Sequence, residues 1–163
     1  MNNPALYILL VSALQIPVAQ ACIGDGAVEG VLVNVPKGTF EVAIAMNQAI
    51  ETNIITPAPN SSLNTVQFML TRQLQQHYQG ELIDITLFDS SGMHFVRVLA
   101  DGETLSLSGH EVPKDAYQDV LVTDIDALTQ LVRKQISFTQ LTDLGLFYQT
   151  QATPEFQRLM TNT

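Results

Sequence analysis

Histidine, cysteine and carboxylate side chains carry metal binding, nucleophilic attack and proton transfer, and this chain keeps most of them apart. Its three histidines are His77, His94 and His110. Their separations fit no short metal-ligand spacing, and neither an HExxH pattern nor a thiol pair is present. Cys22 is the only cysteine, which excludes an intramolecular disulfide and a thiol-rich metal site. No GxSxG elbow or glycine-rich phosphate loop follows a predicted strand. Asp84, Asp89, Asp101, Asp119, Asp124 and Asp126 fall mostly at predicted turns and helix starts, where acids are ordinarily solvated. Asn60-Ser61-Ser62 matches a glycosylation sequon. The expectation is a protein that is not an enzyme and holds no metal and no cofactor.

Composition narrows the class further. The chain has 163 residues, 46% hydrophobic and only 14% charged, which suits one packed domain rather than a disordered segment. Sixteen acidic against seven basic residues give a net charge of −9, a surface that repels phosphate backbones. Nucleic acid is therefore excluded as an expected partner.

The first 24 residues carry no charged side chain, and the apolar run Ala5 to Leu14 is too short to span a bilayer as a helix. Pro17 breaks the run, and Ala19-Gln20-Ala21 places small residues three and one before a cut. Residues 1–21 read as a signal peptide cleaved before Cys22, with export to the periplasm or beyond. A buried N-terminal helix of a cytoplasmic protein is the alternative. Cys22 directly after the small residues also raises membrane anchoring by lipidation, although Ala19 stands where a lipoprotein signal favours leucine.

The elements that must position any site follow from periodicity. Val31 to Val35 and Thr39 to Met46 flank Pro36-Lys37-Gly38, which predicts a hairpin. Met46 to Thr52 can form a short helix, and the proline-rich stretch Thr56 to Ser62 predicts a loop that sets residues 22–62 apart from a main body at 63–163. Val66, Leu70, Leu74 and Tyr78 recur at one helical turn, predicting a helix over 63–79 that Gly80 ends. Ile83, Ile85 and Leu87 alternate with polar residues, Asp89 to Gly92 supplies a turn, and Met93 to Leu99 returns; Thr104 to Ser108 adds a third strand. Val120-Leu121-Val122 fits a central strand covered on both faces. Asp124 or Thr123 can cap a helix running to Lys134, Ser137 and Gln140 have capping-box spacing before Gly145, and Leu146 to Gln151 can return as a strand. Thr153-Pro154-Glu155 reads as cap, first-position proline and early acid of a last helix, docked by Phe156, Leu159 and Met160. The fold class expected is α+β: an antiparallel-rich curved sheet of about five strands, helices mainly on one face, and an N-terminal hairpin appendage.

From Leu63 to Met160 this order, and the segment from Asp119 to Gln149 with Arg133-Lys134-Gln135 inside it, resembles the sterol carrier protein type 2 family. The first 60 residues lie outside the resemblance. What it implies is an apolar tunnel between sheet and helices that takes an acyl chain, sterol or isoprenoid. Phe95, Leu105, Leu107, Leu128, Leu131, Phe138, Leu141 and Phe147 are the candidate lining positions. Each buried methylene contributes about 0.8 kcal/mol, so such a ligand needs no catalytic group. The leading expectation is non-enzymatic carriage of an apolar small molecule or lipid. The rival is an exported interaction or scaffold domain with a filled core and a protein partner.

Overall fold

Alternating side chains bury one face of a sheet, and the pairing register shows which. The computed structural model describes residues 27–28, 31–32, 35–58, 62–113 and 119–161. The expected signal peptide, Cys22 and Asn60 lie outside the described residues. Strands β1 (Ala27–Val28) and β2 (Val31–Leu32) pair antiparallel with each other. Helices α1 (Thr39–Glu51) and α2 (Leu63–His77) follow, then β3 (Leu82–Asp89), β4 (His94–Asp101), β5 (Leu105–Gly109) and β6 (Leu121–Thr123). Helices α3 (Ile125–Val132) and α4 (Phe138–Asp143), strand β7 (Phe147–Tyr148) and helix α5 (Thr153–Met160) complete the order. The fold is α+β, with a five-stranded sheet ordered β5-β4-β3-β6-β7 in which only β3 and β6 run parallel.

In the β3–β4–β5 meander Ile83 faces Ala100, Ile85 faces Val98 and Leu87 faces Val96, while Leu105 and Leu107 face Ala100 and Val98. Because side chains alternate across a strand, this register gathers one set on one face. That face meets Val66, Leu70 and Leu74 of α2, Leu128 and Leu131 of α3, Phe138 and Leu141 of α4, and Phe156, Leu159 and Met160 of α5 in one core cluster. Asp84, Thr86, Arg97, Ser106 and Ser108 share the opposite face. There Arg97 holds Asp84 with two 2.8 Å bonds and also pairs with Glu111. The predicted central strand is found as β6, whose three residues are all buried between β3 and β7.

Residues 39–46, expected as the second strand of a hairpin, form the first part of α1 instead. Phe40, Val42, Ile44 and Met46 alternate as a strand would, but helical spacing buries Val42, Met46 and Ala49 and leaves Phe40 and Ile44 63% and 61% exposed. The start is local: Gly38 takes φ 94°, and Thr39 donates through its hydroxyl to the Pro36 carbonyl at 2.7 Å. The gain is not local. Met46, Ala49 and Ile55 enter the main core, and Val42 packs with Phe88, Phe95, Val120 and Val122 on the sheet's other face. This stretch is therefore packed into the body rather than appended to it.

Three boundaries also move. Helix α2 stops at His77 because Tyr78 turns extended, its hydroxyl donating to the Glu81 carbonyl and accepting from the Gly102 N–H; Gly80 is left-handed at φ 92° but lies beyond the cap. Helix α3 stops at Val132, with Arg133 as its C-cap and Lys134 left-handed at φ 58°. Thr153 is not the cap of α5 but its first residue; Ala152 occupies the cap position and the Thr153 hydroxyl accepts from the Thr150 N–H. The capping box of α4 forms as expected: Gln140 N–H donates to Ser137 Oγ at 3.2 Å and Ser137 N–H to Gln140 Oε1 at 2.9 Å. Among the described residues no helix is long and apolar enough to cross a membrane.

Candidate functional site

Seven of the eight candidate lining positions converge. Leu105, Leu128, Leu131, Phe138, Leu141 and Phe147 are buried in the main core, and Leu107 packs half-buried against it. Phe95 is elsewhere: it lies on the opposite sheet face, its ring 4.7 Å from Phe88. The odd parity of Phe95 relative to Val96 and Val98 decides this, since neighbouring residues of a strand point to opposite faces.

The expected arrangement, α3 laid directly over the Leu105–Leu107 strand, is not the one formed. Helix α2 packs on β5, and α3 and α5 pack against α2. Gln75 of α2 donates to the Leu105 carbonyl at 3.0 Å, and Gln73 to the Met160 carbonyl at 3.3 Å, tying the helix to strand and terminal helix alike. Aromatic rings fill the space between α4, β7 and α5: Phe138 stands 5.0 Å from Phe147, and Phe147 stacks on Phe156 at 5.6 Å. Such ring contacts contribute beyond the area they bury.

Outside this core lie several surface clefts. One of about 360 Å³ runs between Ile54, Ile136 and Leu144, rimmed by Gln130, Gln135, Gln140 and Asp143. A second of about 430 Å³ is lined by Thr56, Pro57, Ala58, Thr129, Gln130, Arg133 and Gln135. A cleft of about 500 Å³ beside Lys37 and Asp119 is backed by Val120 and Tyr148. A groove of about 230 Å³ separates α2 from the end of α3.

Two of the acids expected at the surface are buried. Asp89, at 3% exposure, ends β3, and Asp124, at 5%, caps α3. Asp89 Oδ1 accepts from the Ile125 N–H at 3.0 Å and from the Ser91 N–H and hydroxyl; its Oδ2 accepts from the Gly92 N–H. Asp124 Oδ1 accepts from the Asp126 N–H at 2.8 Å. Burial pushes the Asp124 carboxyl up to about 6; the Asp126 N–H opposes this, and the charges of Asp89 and Asp126 add to it. The sequence signal was available: Asp89 follows Leu87-Phe88 and Asp124 closes the run Val120 to Thr123, both ends of buried strands from which a short side chain can reach the start of α3. The remaining carboxylates fit the solvated expectation. Asp101 and Asp119 accept from turn N–H groups, Asp84 pairs with Arg97, and Asp126 accepts from the Ala58 N–H.

His94 and His110 come together across the β4–β5 edge, rings 4.6 Å apart and edge-on, while His77 ends α2. Among the described residues no group of three histidine, cysteine, aspartate or glutamate side chains is set as metal donors. No protein-family model matches the chain, and no curated protein sequence matches it either.

Proposed function

We propose that the chain is an interaction domain whose work is done by its surface and whose interior is structural. The supporting observation is the exposure of large apolar side chains on helices that already bury another face: Phe40 and Ile44 on α1 at 63% and 61%, and Phe68 on α2 at 63%. Single exposed apolar residues are ordinary; Phe40 and Ile44 lie one turn apart on the same helix surface, which makes a contact face. The ring-packed interior between α4, β7 and α5 is consistent with a core that is occupied by its own side chains.

A photo-crosslinking residue placed at Phe40 or Phe68 in the native host tests the reading. The expected result is a discrete protein adduct, absent when the probe sits at the exposed position Glu103, in the turn between β4 and β5. Uniform or no adducts at all positions would count against it.

The carrier reading keeps support from the cleft floored by Ile54, Ile136 and Leu144, which has room for a small apolar molecule rather than a long acyl chain. Native mass spectrometry of protein purified without detergent separates the two. A clean apo mass and no uptake of a fluorescent fatty acid favour the interaction domain, whereas a co-purifying lipid favours carriage.

A further inference from the structure

The groove between α2 and the C-terminal end of α3 combines apolar and cationic side chains. Phe68, Met69 and Val132 supply the apolar surface, and Arg72, Lys134 and Gln76 stand around it; no acid lines it. In a chain of net charge −9 with only seven basic residues, that is an uneven distribution. Arg97 is engaged by Asp84 and Glu111, and Arg158 by Glu81. Arg72 and Lys134 make no ion pair among the described residues, and neither does Arg133, which lines the adjoining cleft.

Two details bear on the placing of these cations. Cations near a helix C-terminus offset its dipole, which accounts for Arg133 and Lys134. It does not account for Arg72, inside α2 and one turn after the exposed Phe68 on the same helix surface. Lys134, moreover, holds φ 58° directly after the cap of α3, the position where glycine is ordinarily preferred, and its N–H donates to the Leu131 carbonyl at 2.9 Å. Asn53, Met93, His110 and Asp119 also hold positive φ, so the conformation sets no role by itself; it means that glycine at 134 would remove the side chain without straining the cap.

We propose that this groove docks a short acidic segment of a partner protein, an apolar side chain of the segment lying against Phe68 and Met69 while its carboxylates meet Arg72 and Lys134. The inference rests on the interaction-domain reading and names the partner's chemistry. Charge complementarity selects the occupant: a groove of about 230 Å³ accepts one or two side chains. An extended anionic membrane is disfavoured, because two or three cations do not offset the repulsion of a surface with sixteen acids.

A random decapeptide display library panned against the full chain, with counter-selection on an R72E/K134E double variant, tests this. Enriched peptides should pair aspartate or glutamate with leucine or an aromatic residue. Synthetic versions should lose binding about tenfold or more with R72E/K134E or with Phe68→Ser, and weaken as salt rises. Lys134→Gly is the control for folding: it should melt no lower than the parent yet bind the peptide several-fold more weakly. Peptides without acids, equal binding to the double variant, or no enrichment would overturn the proposal. So would groove-dependent binding to phosphatidylcholine/phosphatidylglycerol vesicles or to dodecanoate. A co-purifying lipid would bring down the underlying reading as well, whereas a clean apo mass with no enrichment would remove only this groove.

Discussion

Asp89 and Asp124 grip the same helix start: Asp89 Oδ1 takes the Ile125 N–H at 3.0 Å and Asp124 Oδ1 takes the Asp126 N–H at 2.8 Å. Both carboxyls are buried, and the N–H of Ser90, in the turn after Asp89, donates to the Thr123 carbonyl at 2.8 Å. The β3–β4 turn, the end of β6 and the first turn of α3 are thereby one unit. Free N–H groups at a helix start favour an anion, while burial and a second carboxylate disfavour it.

That opposition gives a pH dependence with a definite sign. The Asp124 carboxyl titrates at about 6 in the folded protein, against about 3.9 in an unfolded chain. The folded state therefore holds the proton more tightly between those values. Stability from this group is fully present below about 4 and is lost as pH rises through about 6. Asp124→Asn keeps an acceptor at the cap without a titrating proton. It should match the parent at pH 4 and exceed it by about 2 to 3 kcal/mol near neutrality. Urea unfolding of both proteins across this range is the measurement, and an equal offset at every pH would refute the assignment.

Gly38 is required where it stands. At φ 94° a β-carbon would lie 2.1 Å from Tyr148 Cγ and 2.3 Å from its Cδ2. Gly38→Ala should cost about 2 to 4 kcal/mol, the sum of a left-handed backbone and a ring collision. Adding Tyr148→Ala should recover part of the loss, because the ring is then gone while the backbone strain stays. Additive losses in thermal unfolding would show that the two do not meet.

Phe156 joins the rings of Phe138 and Phe147 at 6.1 and 5.6 Å. Its truncation to alanine should lower stability by about 3 to 5 kcal/mol, and replacement by leucine by less than about 1.5 kcal/mol. Leu131, 5% exposed in the same core, should lose about 2 to 5 kcal/mol as alanine and fail to fold as aspartate. If Leu131→Ala instead folds undiminished and binds an acyl probe with a new chain-length preference, the interior is a ligand tunnel.

Ser137 and Gln140 close the start of α4 from both sides. Ser137→Ala should cost about 1 kcal/mol, and Gln140→Ala after it little more, since the box is a mutual arrangement. Chemical denaturation of the two single variants and the double variant reads the coupling directly.

These local devices are the part of the protein that was legible in the residues. Ser137 and Gln140 need only their spacing, Ile83, Ile85 and Leu87 need only alternation, and the Asp89 to Gly92 turn needs only residues suited to tight backbone. Hydrogen bonds three or four residues apart, or a single hairpin register, decide such elements, so short windows carry the information. Phe40 to Met46 shows the limit. Its apolar residues recur every second position and also offer Val42, Met46 and Ala49 at helical spacing, so the window supports either element. The helix wins because those three side chains find the two faces of a sheet contributed by residues far along the chain.

The same holds for the candidate sites. Apolarity marked Leu128, Leu131, Phe138 and Phe147 as interior, and the structure buries them. What only the tertiary arrangement decided is that α2 lies on β5 where α3 was expected, that Phe95 faces away from the other seven, and that Asp89 and Asp124 are shut in together. Sequence by itself determined the α+β class, the meander and the capped helices, because these rest on local periodicity and turn chemistry. Tertiary structure alone decided which helix covers which strand and which charges lose their water, because both depend on long-range packing that no short stretch of residues encodes.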